Sequence, residues 1–473
     1  MMKNVYVIPQ PKSVELSGER ISIKASAISR EPAFSDVAEA FCALARKLYD
    51  LPFSEGEGGV EFLRDGALLP SEYRIDGKFV YASDKEGAFY GAATLLQLLL
   101  PDGEGAAIPD ARITDRPDCP YRSLMLDLAF KFHTVERLKA IIDLCFLYKI
   151  RFLHLHFIDN KSYTLPSKLF PLLPTEGLSY TYDDIDEINA YAEARGIEII
   201  PEIEFPGHEA AMIAAYPEVF GIELEDSPEA EAFKEKFANN VISVGREGMM
   251  DHVEGLIREV IAMFPNSRYL HVGGDEAQIE AWQYCRHCKK YMKEKGIDGV
   301  YALYSHFEKL VTDKVLELGR TPIVWEGFPK EGAEQISREV LVIAWESLYH
   351  LAPDLLEEGF KIVNASWQPL YLVVKRHWSP KEILGWNIYN WQNWWEKSYA
   401  YNNPINVSPT DRVLGGQISS WWGGNYAEEI DLIKNNLAAL SERTWNIERL
   451  TDDEDFFARL DRQLPLADIL TAE

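Results

Sequence analysis

The chain has 473 residues, with 75 acidic side chains against 48 basic ones and a formal net charge of −27. An acidic excess of that size repels phosphate backbones and anionic lipid, which argues against nucleic acid and membrane surfaces as partners. At 47% hydrophobic and 26% charged residues the chain reads as a globular protein, long enough for two domains.

The start, Met1-Met2-Lys3-Asn4-Val5-Tyr6, lacks the long apolar stretch of an export signal, and no later run is apolar enough to span a bilayer. A cytoplasmic protein is expected. Residues 1–118 read as a separate α+β domain. Val5–Ile8, Val14–Leu16 and Ile21–Ile23 are short strand candidates, and Ser35–Leu51 carries a helical apolar face. Tyr73–Ile75 and Phe79–Tyr81 form a hairpin across Asp76-Gly77-Lys78, followed by a helix over Gly87–Leu100. The turn-rich segment Ile108–Pro120 reads as the linker. Residues 119–473 then alternate strands with helices. The strand candidates are Leu124–Leu128, Phe152–Phe157, Ile197–Ile203, Tyr269–Gly273, Pro322–Trp325, Val340–Trp345, Lys361–Ala365 and Val413–Ile418. Helices fall between most of them, including Val135–Tyr148, Asp183–Arg195, Asp251–Met263, Val300–Leu318 and Tyr426–Trp445. This alternation predicts an α/β fold, a (β/α)8 TIM barrel behind a smaller α+β domain.

In such a barrel, function sits where strands end. The polar residues therefore matter by position: Asp127 in strand one, His154, His156 and Asp159 in and after strand two, Glu202 and Glu204 in strand three. Strand four ends in Gly273-Gly274-Asp275-Glu276, and Trp325-Glu326, Trp345-Glu346 and Trp421-Trp422 follow strands five, six and eight. Two adjacent carboxylates beyond a buried strand repel each other, and burial disfavours their charged forms. At least one pKa should rise, which makes a carboxylic acid able to donate a proton near neutral pH. The 12 Trp, 23 Tyr and 22 Phe suit stacking on flat apolar faces such as sugar rings, and equally a large core. Five cysteines without framework spacing fit reduced thiols. Cys285-Arg286-His287-Cys288 has no second ligand pair nearby, so a helix-borne cysteine pair is expected in place of a metal site.

Together these stretches resemble the family 20 glycoside hydrolases, the β-N-acetylhexosaminidases. The resemblance rests on Val7-Ile8-Pro9-Gln10-Pro11-Lys12, Gly87-Ala88-Phe89-Tyr90-Gly91 and Thr94-Leu95-Leu96-Gln97 in the first domain. In the barrel it rests on His271-x-Gly273-Gly274-Asp275-Glu276, Pro201-Glu202-Ile203-Glu204-x-Pro206-Gly207-His208 and Glu442-Arg443-x-Trp445. It implies substrate-assisted retaining hydrolysis of a β-linked N-acetylhexosamine, an exception to the two-carboxylate scheme. Glu276 would protonate the glycosidic oxygen while the substrate's acetamido oxygen attacks the anomeric carbon. Asp275 would hold the acetamido N–H and stabilise the oxazolinium, and Tyr371 would hydrogen-bond the acetamido oxygen. Trp325, Trp345 and Trp421 match the walls around the acetamido methyl, and Asp159 and His208 the pair that supports the acid. No metal or organic cofactor is implied, and the partner is a glycan or glycoconjugate. Trp386, Trp391, Trp394 and Trp395 either shape a leaving-side subsite or pack a long loop, and Trp391 is carried as a substrate-binding candidate.

The chain departs from the family pattern at the sugar's hydroxyls. After strand one, Asp127-Leu128-Ala129-Phe130-Lys131 has Phe130 where an arginine that grips O3 and O4 is expected, which leaves Asp127 as the remaining binding candidate there. Tyr371-Leu372-Val373 and Trp421-Trp422-Gly423 each lack an acid, and the run after strand two reads Asp159-Asn160-Lys161-Ser162-Tyr163. Each lost charged hydrogen bond costs roughly 1.5–3 kcal/mol of sugar binding unless replaced. Either Lys131, Lys161 or Asn160 substitutes, or the sugar is modified or linked onward, as in a disaccharide-releasing biosidase. A glycan-binding pseudoenzyme is the alternative of another class, but it would need neither Asp275 nor Glu276.

Overall fold

The computed structural model describes residues 5–103, 105–237 and 240–472; residues 1–4, where the chain begins, lie outside them. An eight-stranded mixed sheet forms the first domain, with the helices Ser35–Tyr49 and Lys85–Leu98 packed against it. The first helix buries Val37, Phe41, Leu44 and Leu48 on one stripe and stops at Asp50, which turns into the left-handed region. Asp84 caps the second helix by accepting the Gly87 N–H at 2.8 Å.

Two expectations for this domain are corrected. The expected linker is largely a strand: Gly105–Asp115 runs through the sheet between the strands Ser13–Ile23 and Tyr73–Asp76. Its small and β-branched residues bury Ala107, Ile113 and Asp115, while Pro109 faces Arg20 where the pairing register shifts, so the missing N–H disturbs the ladder little. Val5–Ile8 is not a strand. It is a loop that buries Val5, Val7 and Ile8 and is held by side chains, with Ile8 bonded both ways to the Gln97 amide at 2.8 and 2.7 Å.

The second domain is a closed barrel of eight parallel strands, Tyr121–Asp127, Phe152–His156, Glu198–Glu202, Tyr269–His271, Thr321–Trp325, Leu341–Ala344, Lys361–Asn364 and Val413–Trp421. Each pairs with the next, and strand eight closes on both strand seven and strand one. Strand seven pairs only with the first half of strand eight, and a short ninth strand, Tyr371–Val373, adds to the far half of strand eight. The sequence pattern did not predict this wedge, which brings Tyr371 into the barrel wall. Alternate residues point inward: Tyr121, Met125, Phe152, Ile200, Ile323, Leu341 and Val363 fill the base of the barrel with apolar side chains. Register sets the next layer. Asp127, His156, Glu202 and His271 lie side by side on four consecutive strands.

The two domains join through buried polar groups. Asp115, at the end of its strand, accepts from Trp445 Nε1 at 3.0 Å and Tyr73 Oη at 2.8 Å, with Lys149 Nζ 3.8 Å away. Burial is the main force on both charges, raising Asp115 and pushing Lys149 down to about 8. The helix Asp453–Thr471 returns to the first domain, where Arg459 binds Glu442 at 2.8 Å and the Val7 carbonyl at 2.9 Å. Asp115→Ala should leave Lys149 without its counter-charge and cost about 3–5 kcal/mol in urea unfolding. An unchanged midpoint would show that the domains are joined by packing alone.

Candidate active site

At the C-terminal rim of the barrel a buried carboxylate gathers its neighbours. Glu202 is 2.6 Å from His156 Nδ1, 3.0 Å from His154 Nε2 and 2.9 Å from His271 Nδ1, and it accepts from Trp325 Nε1 at 2.5 Å. Burial raises its pKa, but His271, His156 and His154 outweigh that, so it lies well below the ordinary carboxylate range. His154 and His156, two residues apart on strand two, meet on this residue. The next acid in the motif behaves in the opposite way. Glu204 is fully buried beside Asp275 and Glu202, and burial followed by those charges raises its pKa well above the ordinary carboxylate range. Gly273, at φ 75°, is required here because a Cβ would lie 1.9 Å from Glu204 Oε2.

From Glu202 a line of alternating acid and base runs outward. His156 Nε2 is 3.3 Å from Asp159, His208 Nδ1 is 3.2 Å from the other Asp159 oxygen, and His208 Nε2 is 3.6 Å from both Asp275 and Glu276. Burial lowers the pKa of both imidazoles, yet the carboxylates win. Glu202 and Asp159 raise His156, and Asp275 and Asp159 raise His208. Asp159 is held far below its ordinary value, since burial is outweighed by its bonds to His156 and His208. Of the five expected catalytic residues, Asp159, His208, Asp275 and Glu276 are joined along this line, while Tyr371 stands among Trp345 and Trp421 and feels the Asp275 charge.

The paired acids sit differently. Asp275 is buried, whereas the Glu276 side chain is half exposed and its pKa is raised by burial and then by Asp275. Three rim residues, His208, Glu276 and Ser347, hold left-handed backbone at φ 55°, 44° and 56°, a strain that the packed loops impose. Glu276 opens onto a cavity of about 520 Å³ lined by His208, Asn240, Tyr301, Gly327 and Tyr349.

Opposite the acids stands an aromatic box. Trp345 stacks on Tyr371 with centroids 5.8 Å apart, and Trp325 lies 6.3 Å from Trp345 and 6.2 Å from Trp421. Trp345 Nε1 donates to the Glu326 carbonyl at 2.9 Å, which fixes its ring. Burial and then Asp275 push the Tyr371 phenol well above its normal value, so it stays an O–H donor inside the box.

Two expected binding residues have other duties. Trp391 is fully buried and donates its N–H to the Ala344 carbonyl at 3.1 Å, so it packs the loop and offers no face to a ligand. Asp127 accepts the Ala129 and Phe130 N–H groups at 3.0 and 2.9 Å, shaping the turn that displays Phe130. Asn160 likewise supports the loop, with its oxygen on the Ala210 N–H at 3.1 Å and its amide 3.3 Å from His208. Sequence reasoning missed Trp367, stacked 4.6 Å behind Tyr371, and Glu308, a buried acid that burial and then Asp275 raise to about 8. The one available signal for Glu308 was a charge on the helical face with Tyr304, whose hydroxyl holds the Gly274 carbonyl. Cys285 and Cys288 are buried free thiols, and Cys285 caps the helix Arg286–Lys295.

A barrel rim that pairs a half-exposed protonatable acid with a buried carboxylate, opposite an aromatic box, defines a carbohydrate-cleaving class of enzyme. The chain belongs to glycosyl hydrolase family 20: the model of that family's catalytic domain matches residues 119–448, and the model of its domain 2 matches residues 4–116. A β-hexosaminidase of Vibrio furnissii is 29% identical over 88% of this chain and 72% of its own length. One from Porphyromonas gingivalis is 28% identical over 97% of this chain and 63% of its own length. Among solved structures, the exo-β-N-acetylglucosaminidase of Vibrio harveyi in complex with N-acetylglucosamine superimposes with a TM-score of 0.83 at 24% identity, covering 98% of this chain and 77% of that one.

The charge relay has a pH signature. Stability from His156 and His208, whose folded pKa values are raised, is complete below the ordinary histidine pKa and is lost as pH rises through the raised values. Stability from Asp159, whose folded pKa is depressed, is present above the ordinary aspartate pKa and is lost as pH falls through the depressed value. Asp159→Asn should lower the His208 pKa by about one unit or more in a histidine NMR titration. A His208 titration indifferent to the substitution would remove Asp159 from the relay.

Proposed function

We propose that this protein is an exo-acting glycoside hydrolase that removes a terminal β-linked N-acetylhexosamine through an oxazolinium intermediate. The observation that carries this reading is the division of labour between adjacent acids, with Asp275 buried against the aromatic box and Glu276 half exposed toward the open cavity. Trp325, Trp345 and Trp421 form a dry slot for an acetamido methyl. Within it Tyr371 donates to the amide oxygen, and the unpartnered Asp275 Oδ1 accepts the amide N–H. This clamp pushes the acetamido oxygen toward the anomeric carbon, which supplies proximity.

The reaction then proceeds in two steps. The Glu276 proton passes to the glycosidic oxygen, the bond from that oxygen to C1 breaks, and the acetamido oxygen bonds to C1. The ring nitrogen gains positive charge, and Asp275 stabilises it across a short, water-poor gap. Glu276, now a carboxylate, takes a proton from water as its oxygen attacks C1, which reopens the oxazolinium and regenerates the acid with retention of configuration. His208, whose pKa Asp275 and Asp159 raise, lies between those two carboxyls and orients them without entering the bond changes. The raised Glu276 pKa keeps the acid protonated further into the neutral range than an ordinary glutamate, and activity should fall as pH rises through it.

Glu276→Gln should lower kcat by about 10²–10⁴-fold on an alkyl or sugar leaving group and much less on a nitrophenyl group that departs unprotonated. Equal losses on both would assign Glu276 a structural part. Asp275→Asn should weaken binding of a thiazoline mimic of the oxazolinium, and retained affinity would argue against substrate assistance.

A further inference from the structure

Resting on the reading above, the orientation of the sugar follows from the site. Glu276 marks the glycosidic oxygen at C1 and the aromatic box marks the acetamido group at C2. The hydroxyl edge carrying O3, O4 and O6 therefore faces the wall built after strands one, two, seven and eight. That wall holds Phe130, which is 46% exposed, the tight turn closed by Val373 and Arg376, and Gly423-Gly424. The turn meets the glycines directly, since a Cβ on Gly423 would touch Val374.

The charge on this wall is opposite to that of the protein. Lys131 reaches the Gly424 carbonyl at 2.5 Å, and Lys161 reaches the Phe130 carbonyl at 2.8 Å. Arg376 lies 4.0 Å over the ring of Trp394, which packs 5.2 Å from Trp367 and through it onto Tyr371. Lys375 and His377 flank Arg376 on the same exposed turn, with the His377 ring 6.1 Å from Trp422. None of these five side chains makes an ion pair among the described residues, although the chain carries a net charge of −27 and most of its buried or partly buried cations are paired. The nearby acids do not cancel them. Asp127 is buried and occupied by main-chain N–H groups, Glu346 is held neutral with a pKa of about 9, Asp159 is engaged by His156 and His208, and Glu428 stands beside Gly424.

We propose that the nonreducing sugar carries an anionic ester, sulfate or phosphate, on its O4–O6 edge, and that Lys131 and Arg376, with Lys161 at the rim, recognise it. The carbonyl-bound ammoniums and the ring-bound guanidinium retain their charge and free donors for a tetrahedral oxyanion. The surrounding acidic surface repels other anions, so the patch acts as a local focus at the pocket mouth.

The test compares 4-methylumbelliferyl β-GlcNAc with its 6-O-sulfo, 4-O-sulfo and 6-phospho derivatives. A charged ester should raise kcat/KM about ten- to hundredfold over the plain sugar. Arg376→Gln combined with Lys131→Met should collapse that ratio toward one, and added salt should erode it. Both sites lie on exposed or half-exposed loops, so folding is checked by an unchanged circular dichroism melt. The ester's identity is separated by pH: a preference that grows between pH 5 and 7 marks phosphate, whose second ionisation falls near 6, whereas a flat ratio marks sulfate. Equal or better turnover of the plain sugar, or variants that slow both substrates alike, would overturn the proposal and leave the hexosaminidase reading intact. Release of methylumbelliferone from none of the four would instead overturn that reading, and the proposal with it.

Discussion

Glu202 occupies the point where barrel strands two to five converge, and four ring N–H donors or nitrogens lie within 3.0 Å of its carboxylate. A bare charge at that depth would be prohibitively costly, so the histidines and Trp325 are as necessary to Glu202 as it is to them. The mutual requirement has a geometric result. Trp325 is pinned by its indole N–H, which sets the floor of the aromatic box. His156 is turned so that its other nitrogen meets Asp159, which in turn aligns His208 with Asp275 and Glu276. One electrostatic knot in the interior thereby positions both halves of the site, the apolar slot and the paired acids.

Alternation of sign is what makes the line of groups stable. Glu202, His156, Asp159, His208 and Asp275 succeed one another with no two like charges adjacent, and the acids that would break the pattern are pushed toward their neutral form. Glu204, Glu308 and Glu346 are all buried near the catalytic pair, and burial raises the pKa of each, to about 8 for Glu308 and about 9 for Glu346. They add hydrogen-bonding capacity without adding repulsion, so Asp275 can remain the principal negative charge facing the slot.

Much of this was legible in the sequence because the barrel repeats a local pattern. Apolar runs ending in charged or aromatic residues mark strand ends, and all eight strands fall within a few residues of their expected positions. Adjacency in the chain also gave Asp275 and Glu276 together. What the sequence hid depends on contacts across the fold. Trp391 and Trp394 are three residues apart in one aromatic run, yet one is sealed beneath strand six while the other packs beside Tyr371's partner. The strand Gly105–Asp115 looked like a linker because proline and small residues mark turns, whereas here the pairing partners shift register around Pro109. Glu204 was indistinguishable from a charged acid until its buried neighbours were placed.

The first domain stands away from this chemistry, bound to the barrel's outer helices and to the returning C-terminal helix. The cavity beyond Glu276 has a different consequence. It is open, about 520 Å³ in volume, and lined by Tyr301, Tyr349 and Asn240 beside His208. A cavity of that size beyond the acid leaves room for a leaving group larger than a small alcohol.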